Sequence, residues 1–386
     1  MKKVFLKGPL LTQSGYGHHA RTVLRALQTR PDVFDLYLQP IPWGQTSWVW
    51  QDSEERKEID RLLNKTIQYI NSGGKFDVSV QVTIPNEWEK IAPVNVGITA
   101  GIETNLVSPQ WIEKSTLMDK IITISKHSKD TYAGTVYEAV NNNTQEKTSF
   151  RTQTPIEYVS YPVRNFNAKE LDLNLTTNFN FLTVAQLSPR KNVHQLIKCF
   201  IEQFKDNEDV GLIIKANMAK NSLIDRHMTL SNFRQLITSR DHKCKIYLLH
   251  GFLTDEEMSG LYTHPKINAI VSTSHGEGFG LPLFEAAYHG LPVLATDWSG
   301  HLDFLTMPQN QKNGKVKNKP MFGKISYELK NVQEQAVWEG VIPKESMWAW
   351  PEDSSVKKNL EDSVENLKEQ IRNSTGAERD RLQKEL

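Results

Sequence analysis

Cysteine and long apolar runs are scarce in this chain of 386 residues, and both absences exclude whole classes of protein. Cys199 and Cys244 stand far apart, so the chain has neither a disulfide framework nor the spacing of a zinc site, and two reduced thiols are expected. No segment approaches the roughly twenty apolar residues of a transmembrane helix. Residues 4–6 are too short for the apolar part of a signal peptide, which favours a cytoplasmic protein.

An excess of one charge sign is also missing. The chain has 46 basic and 45 acidic residues, which gives a formal net charge of +1. A protein that follows duplex nucleic acid usually presents a basic face, and this balance does not exclude a local one. No Asp-x-Asp triplet occurs, and the 11 histidines are scattered, with His18 and His19 adjacent rather than one helical turn apart. The sequence therefore predicts no metal site and no bound cofactor.

Two domains of the α/β class are expected from the length and from the order of apolar patterns. Strand-like runs alternate with helical patterns, which favours parallel sheets covered by helices. Both patterns break over residues 162–180, so we predict an N-terminal domain at residues 1–165 and a C-terminal domain at residues 179–350. The final segment, residues 351–386, begins with a helix. One face of that helix carries the apolar stripe Val356, Leu360, Val364, Leu367 and Ile371.

The most informative segment is GEGFGLPLFE at residues 276–285, which follows a predicted strand at residues 267–272. Pro282 stands where a helix would begin, so the free N–H groups of the helix start face whatever the glycine loop holds. The loop is therefore predicted to bind an anion. Glu277 and Glu285 would repel a phosphate, and they are better suited to accept hydrogen bonds from hydroxyl groups beside it. A sugar nucleotide offers this combination of hydroxyls and phosphates.

This E-x7-E pattern resembles that of the retaining glycosyltransferases with the GT-B fold. The resemblance implies two Rossmann-like domains facing across a cleft, with the C-terminal helix crossing back to the N-terminal domain. It also implies metal-independent transfer of a sugar from a UDP- or GDP-sugar, with retention of the anomeric configuration. By the same resemblance, Glu277 lies by the donor sugar and Glu285 binds the donor ribose. Further donor contacts are implied for the loop residues Gly278, Phe279, Gly280 and Leu281.

Two more segments of the C-terminal half resemble this family. Residues 181–192, FLTVAQLSPRKN, look like its first strand in this domain and the basic turn that follows. The resemblance assigns Arg190 and Lys191 to the leaving diphosphate, because fixed cations can stabilise its growing charge without reorganising. A later segment that ends in Phe252 and Leu253 resembles the strand and loop facing the nucleotide base. These two side chains are candidate base contacts, and core packing explains them equally well.

In the N-terminal half, a glycine turn at Gly15, Tyr16 and Gly17 opens an amphipathic helix. The pattern fits a relaxed dinucleotide fingerprint and hence a nicotinamide or flavin enzyme. That fingerprint requires an acidic residue at the end of the next strand, but this strand ends in Gln39 and Pro40. The family resemblance instead places the glycine turn in the cleft, near the donor phosphate and the acceptor.

Two ionisable residues are further candidates for the cleft. His18 is a candidate proton carrier, although an exposed histidine in a first helical turn is the alternative. Glu103 matches the acid of a Trp-Glu pair that ends a strand in one subgroup of the family. This chain has Ile102 in place of the tryptophan, and a surface glutamate is the other interpretation.

The acceptor is the part that the sequence leaves open. Trp43, Trp48 and Trp50 follow the second predicted strand, where flat rings could stack on a sugar or a nucleobase, or could cover the underside of the domain. The Asn- and Lys-rich composition suggests an AT-rich bacterial or phage genome, so DNA with hydroxymethylated bases stands beside glycans as a candidate acceptor. Residues 309–319, which are rich in lysine, are expected to form a solvated loop.

Three functions therefore compete. The first is a retaining glycosyltransferase that acts on a glycan or on modified DNA. The second is a GT-B-fold sugar-nucleotide epimerase or phosphorylase, which would react without an added acceptor or with phosphate. The third is a non-catalytic GT-B module that only binds. Glu277, Glu285, Arg190 and Lys191 together favour an active enzyme, since a dead site has no need of all four charges.

Overall fold

The computed structural model describes residues 1–140, 147–311 and 314–373, and the chain divides into two units. The first unit contains Met1–Tyr161 and Asn331–Met347, and the second contains Pro162–Lys330 and the chain from Trp348 onward. The division therefore falls at the start of the segment in which the sequence patterns break. Residues 159–178 form neither helix nor strand.

A parallel sheet forms the centre of the first unit. The strands are β1 (Lys2–Gly8), β2 (Phe34–Pro40), β3 (Val78–Val82), β4 (Val94–Ile98), β5 (Lys120–Thr123), β6 (Tyr137–Val140), β7 (Lys147–Phe150) and β8 (Ile156–Tyr158). The sheet has the order β2-β1-β3-β4-β5-β8 with parallel pairings throughout, whereas β6 and β7 pair antiparallel outside it. The helices are α1 (Gly15–Gln28), α2 (Glu54–Asn71), α3 (Pro109–Ser115) and α4 (Lys126–Gly134).

Serine side chains set where these four helices begin. Ser14, Ser53, Ser108 and Ser125 each accept a hydrogen bond from a backbone N–H in the first turn of α1, α2, α3 and α4, respectively. Such caps satisfy donors that have no partner inside the helix. The strands of this sheet are largely buried, as expected for a parallel sheet covered by helices, and β1 is buried from its third residue onward.

A second parallel sheet forms the centre of the second unit. The strands are β9 (Phe179–Gln186), β10 (Val210–Asn217), β11 (Lys245–Leu249), β12 (Ile267–Ser272), β13 (Val293–Thr296), β14 (Thr306–Asn310), β15 (Val316–Pro320), β16 (Gly323–Ile325), β17 (Tyr327–Asn331) and β18 (Met347–Pro351). The sheet has the order β11-β10-β9-β12-β13-β16. The helices are α5 (Val193–Gln203), α6 (Leu223–Thr238), α7 (Asp255–Tyr262), α8 (Leu281–Tyr288), α9 (Leu302–Leu305) and α10 (Asp353–Asn373).

In each sheet the strand order reverses beside the first strand of the unit. In the second unit, β10 and β11 lie on one side of β9, whereas β12, β13 and β16 lie on the other. In the first unit, β2 and β3 lie on opposite sides of β1. Loops that leave the carboxyl ends of strands at such a reversal diverge and open a crevice in which α/β sheets bind ligands. The topology therefore singles out the loops after β9 and β12, and those after β1 and β3.

The C-terminal helix buries its apolar stripe within the second unit, and the expected packing of this helix towards the N-terminal domain stays a prediction. Over its described part, α10 places its stripe, Val356, Leu360 and Val364, in the core of the second unit, against α5 and β16. A separate segment, Asn331–Met347, groups with the first unit; the chain enters it at the end of β17 and leaves it at the start of β18. An apolar stripe shows that a helix buries one face, but it does not identify the surface that covers it.

The lysine-rich segment at residues 309–319 is also different from the predicted loop. Its described residues belong largely to an antiparallel ribbon of β14 and β15, in which Gln309 pairs with Lys317 and Asn310 with Val316. Nearly every residue of both strands is exposed. Lys312 and Asn313 lie outside the described residues. The ribbon is thus solvated, as expected, but it is regular in backbone structure.

Both cysteines belong to the second unit. Cys199, on α5, and Cys244, just before β11, are buried free thiols. Among the described helices, none has both the length and the apolar character that crossing a bilayer requires.

The packing of α10 gives a first testable prediction. Leu360 is fully buried, so Leu360→Ala should lower the free energy of unfolding of the second unit by about 2–5 kcal/mol through lost burial and the cavity left behind. Urea unfolding followed by circular dichroism measures this change. Lys358→Ala, on the exposed side of the same helix, is the matched control and should cost less than about 0.5 kcal/mol. Equal small effects would show that α10 does not belong to this core.

Candidate functional site

The two loops at the strand reversal of the second unit carry the charged residues that the sequence singled out. After β9, Pro189–Lys191 form a single 3-10 turn, and Asn192 then adopts a left-handed conformation with φ of 50° before α5 begins. After β12, the glycine loop leads to Gly280, whose φ of 89° also lies in the left-handed region, and α8 begins at the next residue. Glycine is favoured there because it carries no Cβ.

These loops bring Arg190, Lys191 and Glu277 together. The Arg190 guanidinium donates to one Glu277 carboxylate oxygen at 3.1 Å and to the Gly276 carbonyl at 2.7 Å. Lys191 Nζ donates to the other Glu277 oxygen at 2.6 Å. Both carboxylate oxygens are therefore engaged, and the three ionised groups together carry one net positive charge. Such a cluster favours an anion as its ligand.

The ionisation of Glu277 is fixed by its neighbours. Burial alone would raise the pKa of this carboxyl group, but the charges of Lys191 and Arg190 outweigh burial and lower the pKa to about 2. The glutamate is only 6% exposed, so it is a buried anion at every physiological pH. Its charge is part of the site rather than a group that titrates there.

A third loop, after β13, holds the glycine loop in place. Ser299 Oγ accepts from the Glu277 backbone N–H at 2.9 Å, and the Gly300 N–H donates to the Glu277 carbonyl at the same distance. A Cβ at Gly300 would lie 2.1 Å from the Gly278 carbonyl oxygen, so a side chain there would displace the loop. The sequence analysis missed both residues. Their position after the next parallel strand of the sheet is the signal that could have found them.

Glu285, on α8, sits in a different environment. The Tyr262 hydroxyl, at the end of α7, donates to one of its oxygens at 2.9 Å. Burial raises the pKa of Glu285 to about 7; the Tyr262 hydrogen bond and Arg164 lower it, and Asp255 raises it. Arg164 and Asp255 are themselves an ion pair at 2.8 Å. Tyr262, which is buried, is a second site residue that the sequence analysis did not identify.

The other residues predicted to contact the donor differ in how far their side chains are exposed. The Phe279 side chain is 3% exposed and packs on Phe284 and Phe304, so only its backbone is available to a ligand. Gly278 and Gly280 belong to the same loop, and Leu281 is the first residue of α8. After β11, the Phe252 side chain is 37% exposed, whereas Leu253 is half-buried against the apolar core. Exposure therefore favours Phe252 over Leu253 as a base contact.

In the first unit, Tyr16 ties α1 to the loop after β4. Its hydroxyl lies 2.8 Å from Thr99 Oγ1 and accepts from the N–H groups of Ala100 and Gly101 at 3.0 Å each. Burial raises the pKa of Tyr16 to about 12. Gly17 has a structural reason as well, because a Cβ there would lie 2.1 Å from the Thr12 carbonyl oxygen. These two residues hold the loops, and their ligand roles stay predictions.

Gly15, His18 and Glu103 complete the predicted set in this unit. A side chain at Gly15 would meet open space, so a close approach of the local backbone does not require glycine there. His18 is half-buried, with its ring 5.8 Å from that of Tyr161. Glu103 is half-buried in the loop between β4 and α3. The structure thus places all three at loop or helix starts on the carboxyl side of the sheet.

Comparison with known proteins finds a family match over part of the chain. Residues 164–320 match the family model described as glycosyl transferases group 1. A serotype-specific mannosyltransferase, WbdA, of Escherichia coli is 32% identical over 133 residues, which is 34% of this chain and 15% of that protein. The GtfA subunit of a UDP-N-acetylglucosamine–peptide N-acetylglucosaminyltransferase of Streptococcus pneumoniae is 28% identical over 172 residues, 44% of this chain and 31% of that one. The chain therefore spans less than a third of the length of these relatives.

Solved structures extend the likeness to both units. A sucrose-phosphate synthase from Thermosynechococcus elongatus aligns over 99% of this chain and 94% of its own, with a TM-score of 0.56 and 12% identity. The apo structure of OtsA aligns over 100% and 95%, with a TM-score of 0.54 and 10% identity. At this identity the likeness concerns the fold, and it confirms the predicted α/β architecture of the GT-B class.

The pKa of Glu285 leads to a prediction on stability that needs no substrate. A folded-state pKa near 7, against an ordinary value of 4.5, means that the folded protein binds more protons over this range. Glu285 therefore lowers stability progressively as the pH rises from about 4.5 to 7, and fully above it. Glu285→Gln should gain roughly 2–3 kcal/mol relative to the wild type between pH 4.5 and pH 8, measured by urea unfolding. A pH-independent effect would contradict the buried environment. Glu361→Gln, an exposed glutamate on α10, is the control.

Proposed function

We propose that this chain, which carries a glycosyl transferases group 1 domain in a GT-B fold, is a retaining and metal-independent glycosyltransferase. Its donor is a nucleoside-diphosphate sugar, and its acceptor is a hydroxyl group of a glycan or of a hydroxymethylated base in DNA. The observation that carries the proposal is the buried Glu277 between Arg190 and Lys191 at the strand reversal of the second unit.

The two cations supply the charge that a leaving diphosphate needs. As the bond between the sugar and the phosphate breaks, negative charge grows on the phosphate oxygens. Arg190 and Lys191 are held in place by Glu277 and by the loop backbone, so they stabilise this charge without reorganising. Their side chains are still 23% and 14% exposed, which leaves room for a ligand. Protein cations in this role support transfer without a metal ion.

Glu285 and the start of α8 are suited to the nucleoside end of the donor. An ionised carboxylate accepts hydrogen bonds from two neighbouring ribose hydroxyls, and the Tyr262 hydroxyl holds it in position. The N-terminal end of α8, which begins at Leu281, carries the partial positive charge of the helix dipole and thereby favours a phosphate nearby.

The engaged state of Glu277 bears on the mechanism. Both of its oxygens accept from cations, so this carboxylate is suited to orienting the donor sugar rather than attacking it. We therefore infer a front-face reaction. The bond between the anomeric carbon and the phosphate oxygen breaks, the acceptor oxygen bonds to the same face of that carbon, and the acceptor proton passes to the departing phosphate. The product then keeps the anomeric configuration of the donor.

The buried thiols of Cys199 and Cys244 support a reducing compartment, and we propose the cytoplasm as the site of action, or the host cytoplasm if the chain is of phage origin.

Nucleotide binding tests the donor assignment. Glu285→Ala should weaken binding of UDP or GDP by roughly 10- to 100-fold, because a hydrogen bond to a charged group contributes about 1.5–3 kcal/mol. Glu277→Gln should bind the nucleotide at least as tightly as the wild type, since both cations lose their carboxylate partner. Calorimetry with UDP, GDP and ADP measures both. If none of the three binds at millimolar concentration, the proposal fails.

A transfer assay tests the chemistry. Radiolabelled UDP- and GDP-sugars are offered with simple sugars, lipid-linked glycans and DNA carrying hydroxymethylated bases. Transfer should survive EDTA, the product should keep the donor configuration, and Glu277→Gln should lower turnover far more than it changes nucleotide affinity. An inverted product, or complete loss with EDTA and rescue by magnesium, would contradict the mechanism. Conversion without an added acceptor would favour an epimerase instead.

A further inference from the structure

Two loops of the first unit are joined at the carboxyl ends of neighbouring strands. Residues 9–14 follow β1, and residues 41–53 follow β2. The Gln13 N–H donates to the Ser47 carbonyl at 2.7 Å, and the Val49 N–H donates to the Leu11 carbonyl at 2.8 Å. Between these bonds, Thr12 and Trp48 form an antiparallel bridge. The second loop thus runs as a short extended strand beside the first, at the edge where α/β sheets bind ligands.

Two tryptophans project from this extended segment into solvent. Trp48 is 53% exposed and Trp50 is 72% exposed, whereas Val49 between them is half-buried. Alternate side chains of an extended segment point to the same face, so both indole rings lie on one side, with their Cα atoms roughly 6.5 Å apart. Trp43 differs, because it packs against the core with its ring 4.3 Å from that of Tyr16. The exposed pair therefore does not serve to cover the domain.

Two arginines on neighbouring helices donate hydrogen bonds to backbone carbonyls of these loops. Arg21, on α1, donates to the carbonyls of Leu10 and Thr12 at 2.8 and 2.9 Å. Arg56, on α2, donates to the Val49 carbonyl at 2.7 Å and pairs with Asp60. The backbone that carries the tryptophans is thereby fixed before any ligand binds, which reduces the entropy that binding has to overcome.

The charge of this surface distinguishes between the two acceptor classes. Residues 9–14 and 41–53 contain no lysine or arginine, and Asp52 is their one charged residue, followed by Glu54 and Glu55. Nucleic-acid binding draws most of its affinity from cations that neutralise phosphates, which these loops do not offer. A neutral sugar offers an apolar ring face to each indole and hydroxyls to polar neighbours such as Gln45 and Gln51.

We propose that Trp48 and Trp50 form a stacking surface that binds the sugar rings of a glycan acceptor. This inference rests on the proposed glycosyltransferase function and selects the glycan from its two acceptor classes. The surface spans more than one sugar ring, so it recognises an oligosaccharide rather than a single monosaccharide.

The test measures oligosaccharide binding to the full chain with UDP or GDP present. Saturation-transfer NMR with linear tetrasaccharides of mannose, glucose, galactose and N-acetylglucosamine identifies which member binds. Replacing one ring, as in Trp48→Ala or Trp50→Ala, should weaken its binding roughly tenfold, and the double variant roughly a hundredfold. Trp50→Phe retains a flat ring and should recover most of the affinity. Trp338→Ala, another exposed tryptophan of the same unit, is the matched control and should bind as the wild type does.

Three outcomes would overturn the inference. One is undiminished tetrasaccharide binding by the double variant. Another is binding of single-stranded or duplex DNA with hydroxymethylated bases that depends on these two rings. The third is a wild-type chain that binds no tetrasaccharide at millimolar concentration. Calorimetry with UDP and GDP on the same samples separates these failures from failure of the proposed function, because a chain that binds neither nucleotide fails at that earlier step.

Discussion

The buried contact of Glu277 with Arg190 and Lys191 is the interaction on which the second unit's site depends. Removing ions from water is costly, and a buried ion pair is stable only while every partner remains in place. The contact joins the loops after β9 and β12, which a backbone bond from the His275 N–H to the Arg190 carbonyl also connects. The same residues therefore hold together the two loops at the strand reversal and provide the positive charge of the crevice between them. These positions therefore contribute both to the structure of the loops and to the proposed chemistry.

Glu277 and Glu285 are close in sequence but differ in the pKa of their carboxyl groups. Glu285 lies eight residues after Glu277, on the helix that the glycine loop begins. Two cations lower the pKa of Glu277 to about 2, whereas burial outweighs the Tyr262 hydrogen bond and the charge of Arg164 and raises the pKa of Glu285 to about 7. Environments that separate the pKa values of neighbouring acids are typical of functional sites. A ligand that offers hydroxyls to Glu285 would favour its charged form and thus bind more tightly as the pH rises.

The sequence predicted features that depend on neighbouring residues and missed those that depend on distant ones. The glycine loop and the basic turn each lie within about ten residues. The bond between Tyr262 and Glu285 joins residues 23 apart, and that between Tyr16 and Thr99 joins residues 83 apart. Helix α10 belongs to the same case, because its stripe predicted a buried face without indicating which surface would cover it. Such contacts follow from sheet topology, which a local pattern does not contain.

The two units also differ in what their chemistry demands of the sequence. A nucleoside diphosphate presents the same charges whatever sugar it carries, so its site needs cations and carboxylates at fixed places, and these give a recognisable motif. An acceptor hydroxyl is carried on scaffolds of many kinds, and the scaffold is recognised through shape and stacking. The family match, residues 164–320, lies within the second unit, where the proposed donor site is. In the first unit, Tyr16 uses its hydroxyl to hold the loop after β4. The proposed acceptor recognition therefore rests on side chains such as Trp48 and Trp50, which no charge pattern reveals.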